Sequence, residues 1–262
     1  EPPFGDEGMV FDEKSLTEKQ APWLALLRTG AMPPADAEAT PRSYMVQYEW
    51  QAMLEEAVED EEGAHWLAWL HLGVMRYYEG EHEGARRAWE MSLQKTRTPW
   101  AMRNLAVLAQ ERGQGDEAVD LYVAACRMRP ESLPLAVECG RALLKADRPA
   151  EWLDLLGDLP ASVRERGRIR LLEARAALAL DDFERVRRIF AEKPVVNDMR
   201  EGEVSLSDLW FDFHAQRLSA AENIPLDDAL RARVRREFPV PEEFDFRMGA
   251  DDVAGEEGEA EE

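Results

Sequence analysis

A pattern repeated with a shift of 33 or 34 residues constrains this chain more than any other feature. Leu72-Gly73 recurs as Leu105-Ala106, Gly80 as Gly113, Ala85 as Ala118 and Trp89 as Tyr122. One and two further periods bring the small residue to Gly140 and Ala174, and the bulky one to Leu156 and Phe190. A fixed period near 34 is what stacked helical hairpins leave in a sequence, because one hairpin cannot bury its apolar face alone. The spacing has a steric cause. A glycine or alanine on the first helix and an alanine on the second let two backbones approach, and the bulky side chain four residues on fills the gap.

The punctuation agrees with this period. Turns are expected at Glu79-Gly80-Glu81, Gly113-Gln114-Gly115, Ala146-Asp147-Arg148-Pro149 and Leu180-Asp181-Asp182, which divides residues 64–194 into four hairpins. Pro149 suits the first turn of its helix, where the missing N–H costs nothing. Upstream, residues 15–63 read as flanking helices. Ser15 with Glu18 forms a capping-box pattern ahead of Trp23, Leu24, Leu26 and Leu27, although Pro22 lies inside that span. Residues 32–42, with three prolines, read as a connection, and residues 43–58 as a helix. Downstream, residues 195–248 are expected to cap the array with helices over 205–221 and 225–238. Residues 1–14 and 249–262 are acidic and expected to be disordered.

Charge is distributed unevenly. The formal net charge is −22, yet residues 1–63 hold 15 acidic against 4 basic residues and residues 240–262 hold 10 against 1. That leaves 29 against 27 for the body of the chain, so the acidity belongs to the ends. Nucleic-acid binding, which needs a basic surface to displace counterions, is not expected. No apolar run is long enough for a membrane span. The first residues lack the basic start and apolar core of a signal peptide, so the expected location is cytoplasmic, for a chain that begins at Glu and reads as a fragment or processed product. Cys126 and Cys139 fall at apolar helix positions and read as buried reduced thiols.

Reactive constellations are missing. His65, His71, His82 and His214 have no partners at metal-ligand spacing, and there is no Cys-x-x-Cys. Gly113-Gln114-Gly115 lacks the strand, the further glycines and the Lys-Ser/Thr of a phosphate loop. No nucleophile elbow appears. The expectation is therefore no catalytic residue, no metal and no cofactor.

The residues above resemble the tetratricopeptide repeat family. Trp69, Leu72, Gly73, Gly80, Ala85 and Trp89 match its pattern in the first hairpin, and Leu105, Gly113, Ala118, Tyr122, Ala125 and Pro130 in the second. The family's tyrosine is replaced by Arg76 and Ala109. The third hairpin keeps Gly140 but has Trp152 where alanine is usual, and the fourth keeps Ala174 and Phe190. The first hairpin, residues 200–211 and residues 238–248 also look like the C-terminal helical region of large bacterial proteins with a sugar-related N-terminal domain. The fold class implied is all-α, a right-handed superhelix of stacked helix-turn-helix repeats with a C-terminal helical cap.

The resemblance further implies that the first helix of each hairpin lines a concave face. That face carries Tyr77 and Tyr78, then Trp100 and Arg103, then Arg141 and Lys145, then Arg168 and Arg175. Its basic residues would clamp carboxylates and its rings would seat an apolar group, unless the arginines are solvated or pair with Glu138 and Glu173. The function implied is a non-catalytic scaffold binding a peptide or protein domain. The alternative is a structural module packing on an upstream domain of the same polypeptide, within a larger carbohydrate-processing enzyme.

Overall fold

A computed structural model describes residues 17–41, 43–61, 63–192 and 205–245, and every regular element among them is helical. Ser15 and the two acidic ends read as disordered lie outside the described residues. The chain divides into two compact units, Glu1–Arg129 and Pro130–Glu262, so the boundary falls inside the array of hairpins.

The first unit begins with α1 (Ala21–Thr29) and α2 (Tyr48–Ala57). Helix α1 starts at Ala21 with Pro22 in its first turn, so the proline opens the helix and does not interrupt it. Its N-cap is Gln20, not Ser15, and it ends at Gly30 in the left-handed conformation. Helix α2 is shorter than the expected 43–58, because the Ser43 carbonyl accepts a 2.9 Å hydrogen bond from Trp23 Nε1 and holds that residue in the preceding connection.

Two hairpins follow, α3 (Trp66–Tyr78) with α4 (His82–Lys95) and α5 (Pro99–Glu111) with α6 (Gly115–Met128). The reason for Gly73 is direct. A Cβ built there would lie 2.3 Å from Trp89 Nε1 and 2.4 Å from Cδ1, so the indole lies flat on bare backbone. The same indole donates to the Leu70 carbonyl at 3.2 Å. Ala85 and Leu72 are fully buried beside it. In the second hairpin Leu105, Ala106, Ala118 and Tyr122 are all buried.

The second unit holds α7 (Leu133–Lys145), the short α8 (Pro149–Leu155), a single turn α9 (Ala161–Arg164), α10 (Gly167–Ala179) and α11 (Phe183–Ala191). Here the side chain that fills the glycine gap differs from the expected one. Gly140 faces Trp152, whose Cζ2 would lie 2.9 Å from an added Cβ, while Leu172 Cδ1 closes the other side at 3.0 Å. Trp152 takes the position held by Ala85 and Ala118, and α8 gives way to a 3-10 turn at Leu156, which is buried in that turn. Ala174 and Phe190 are buried in the last hairpin.

The turn residue that follows the first helix of each hairpin has positive φ throughout: Gly80 (79°), Gly113 (73°), Asp147 (56°) and Asp181 (56°). Aspartate replaces glycine in the second unit because its short polar side chain tolerates the left-handed region. The chain then closes with α12 (Ser205–Glu222) and α13 (Asp228–Glu237). The Asp227 side chain caps α13 by accepting from Leu230 N at 2.9 Å. Phe190, Leu206, Leu209, Phe213 and Phe244 form one apolar cluster that covers the face of the last hairpin.

Candidate peptide-binding surface

The connection between α1 and α2, residues 31–47, runs as a strap against the starts of α3 and α5. Its described residues, 31–41 and 43–47, form no regular element apart from a tight turn at Asp36–Ala39, where the Asp36 carboxylate accepts from Glu38 N at 2.9 Å. Indole and imidazole groups hold its carbonyls. Trp66 Nε1 donates to Ala35 O at 2.8 Å and Trp100 Nε1 to Ala39 O at 3.2 Å. His65 Nε2 meets Met32 O at 2.8 Å. Arg129 adds Glu38 Oε2 at 3.1 Å and Thr40 Oγ1 at 3.3 Å, with its guanidinium 5.6 Å from the centre of the Trp100 ring. Trp66 and Trp100 stand 34 residues apart, so the donors recur with the hairpins. Trp100 is thereby committed to the strap and does not join Tyr77 and Tyr78 as an apolar seat.

Where the strap leaves this seat it forms one wall of an open cleft of about 540 Å³. Tyr44 and Val46 come from the strap, Val74, Tyr77 and Tyr78 from the last turns of α3, and Arg103, Asn104 and Val107 from α5, with Trp89 behind them. Tyr44 and Tyr78 are 66% and 67% exposed, unusual for rings of this size. Tyr77 is fixed: its hydroxyl donates to the Glu111 carboxylate and its ring stacks on His82 at 5.4 Å. That hydrogen bond, followed by burial and the Glu111 charge, raises the phenol above its ordinary pKa. The cleft therefore combines a rigid ring, two exposed rings and a cationic group, within walls mostly apolar.

In the second unit Arg141 and Lys145 are one turn apart on α7, and Arg175 takes the equivalent of position 141 on α10, which packs against α7. All three are exposed, and Arg168 at the start of α10 is half-buried. Glu173, considered as a partner for these arginines, turns elsewhere. It is 4% exposed and receives Arg185 Nε at 2.8 Å together with Arg170.

Two of the four histidines are buried. His71 is buried against the Trp23 ring at 4.9 Å, and burial pushes its pKa down to about 4. His214 stacks on Phe238 at 4.1 Å and against Trp210 at 4.5 Å, with burial, then the Arg217 charge, lowering it to about 4. Among the described residues no group of three or more His, Cys, Asp or Glu is placed to hold a metal ion, and no helix is long and apolar enough to cross a membrane. Cys126 and Cys139 are buried thiols.

Sequence reasoning missed Tyr44, Val46 and Asn104 in the cleft, and His65, Trp66 and Arg129 at the strap. The recurrence of Trp66 as Trp100 was the available signal. The strap residues carry none, because they are held through their carbonyls.

No protein-family model matches this sequence, and none of the curated proteins compared with it does. Among solved structures it is similar to PilF of Pseudomonas aeruginosa, with 16% identity, a TM-score of 0.46, and coverage of 86% of this chain and 92% of that one. It is also similar to the C-terminal part of a TPR repeat-containing protein from Cytophaga hutchinsonii, with 13% identity, a TM-score of 0.30, and coverage of 75% of this chain and 92% of that one.

Proposed function

We propose that this chain is a non-catalytic helical-repeat scaffold and that the cleft beside α3 and α5 receives a segment of a partner protein. One observation carries the reading: two large exposed tyrosines stand at the mouth of an apolar cleft whose third ring is locked in place. Exposed aromatic groups around a preformed hollow are the composition of interaction hot spots, since they supply contact area at little cost in side-chain entropy. Arg103, beside Tyr77, favours a segment with a carboxylate near its apolar anchor. Arg141, Lys145 and Arg175 of the second unit supply a separate basic surface for acidic residues of the partner.

Selection of a displayed random-peptide library on the immobilised full chain tests this. Peptides with an aromatic or aliphatic residue next to Asp or Glu are expected, and Y78A and R103A should each weaken them about tenfold or more. Peptides that bind both variants as well as the unmodified chain would remove the cleft. The paired charge reversal R141E/R175E should abolish the salt-sensitive part of the capture of acidic peptides, and unchanged capture would remove the basic surface.

A further inference from the structure

The strap fits its own seat poorly. Beside it opens a pocket of about 290 Å³, walled by Ala35, Ala39 and Pro41 of the strap, by Trp66 of α3, and by Ala21 and Pro22 at the start of α1. The strap side chains that could enter it are short. Only Met32 is fully buried; the remaining described strap residues are exposed or half-buried. The middle of the strap is held through the carbonyls of Ala35 and Ala39, received by indoles one repeat apart, and through the side chains of Glu38 and Thr40, received by Arg129. The seat thus reads the acidic turn through Arg129 and otherwise grips carbonyls, and the space beside Ala35 is left unfilled.

We infer that this seat is a binding site for a linear peptide with the strap's frame, an acidic turn between two proline-bearing arms, and a bulky aliphatic side chain in place of Ala35. The strap is its displaceable occupant in cis. This deepens the scaffold reading by naming a partner's chemistry, and it concerns a seat that adjoins the Tyr78 cleft but does not include Tyr78. An occupant tethered through short connections competes at high effective concentration, so the outside peptide binds the intact chain more weakly than the bare seat. A side chain that fills the cavity offsets that disadvantage by burying apolar area the strap leaves unburied.

The test uses a labelled synthetic peptide with the sequence of residues 31–43, with and without A35L, and fluorescence anisotropy on the full chain. The A35L peptide should bind about tenfold or more tightly than its parent. The chain variant E38A/T40A, which loosens the strap from Arg129 and leaves the seat intact, should bind the A35L peptide severalfold more tightly than the unmodified chain. W100F should weaken it, and Y78A should leave it unchanged. Equal affinity of the two peptides, or indifference to W100F in a chain of unaltered circular dichroism, would overturn the inference. Failure here together with Y78A-sensitive library peptides would leave the scaffold reading standing.

Discussion

Gly73 shows how much one missing methyl group decides. Its Cβ would meet the fixed ring of Trp89 at 2.3 Å, and that ring is anchored by its own hydrogen bond to Leu70 O. The G73A substitution should therefore cost about 3 kcal/mol, the upper part of the range for overpacking. G140A should cost less, about 1 kcal/mol, because one of its two close neighbours is the far end of the flexible Leu172 side chain. Urea unfolding of both variants measures the difference, and an equal or reversed order would refute the assignment. The sequence made the small residue legible at both places, since glycine recurs at a fixed spacing. It did not make the third hairpin's ring legible. Counting periods leads to Leu156, whereas Trp152 had already taken an alanine position and filled the gap from there.

Between elements, ion pairs do what periodicity cannot foresee. Glu173 on α10 is buried and joins its own helix to α11 through Arg185, with Arg170 beside it reaching also to Glu192. Removing the carboxylate charge takes this partner from Arg185, which is only 27% exposed, while Arg170 keeps Glu192. E173Q should destabilise the chain by about 2 kcal/mol, below the full cost of breaking a buried pair because Arg185 keeps some water. Thermal unfolding of E173Q checks this, and a melting temperature equal to that of the unmodified chain would contradict it. The hairpins themselves were legible because each needs the same apolar face at the same place. The strap was not. A proline-bearing connection gives no helical pattern, and its partners lie up to 91 residues away, in Arg129. Nothing local in residues 31–47 announces that their carbonyls will be held.

At the scale of the whole molecule each unit carries one buried histidine held neutral, His71 in the first and His214 in the second, both with pKa lowered to about 4. The unfolded chain takes up those protons near pH 6.5, so it binds more protons than the folded chain between about 6.5 and 4. The stability these rings allow is fully present above the unfolded value. It falls as pH drops through that window, by on the order of 3 kcal/mol for each ring. The urea midpoint should already decline from pH 6.5 to 5, ahead of most carboxylate titration, and H71F/H214F should flatten that part of the curve. An unchanged slope in the double variant would assign the acid sensitivity to other groups. The function proposed above is the presentation of surface to a partner, and it rests on the Tyr78 cleft, which is open and flanked by exposed rings. The most direct measurement places the photo-crosslinking residue p-benzoylphenylalanine at position 78, and in a control at the exposed Arg127 on α6, then exposes each full chain to library peptides selected on the unmodified chain. A peptide adduct is expected at 78 and little at 127. Adducts of equal yield at both positions would contradict binding in the Tyr78 cleft.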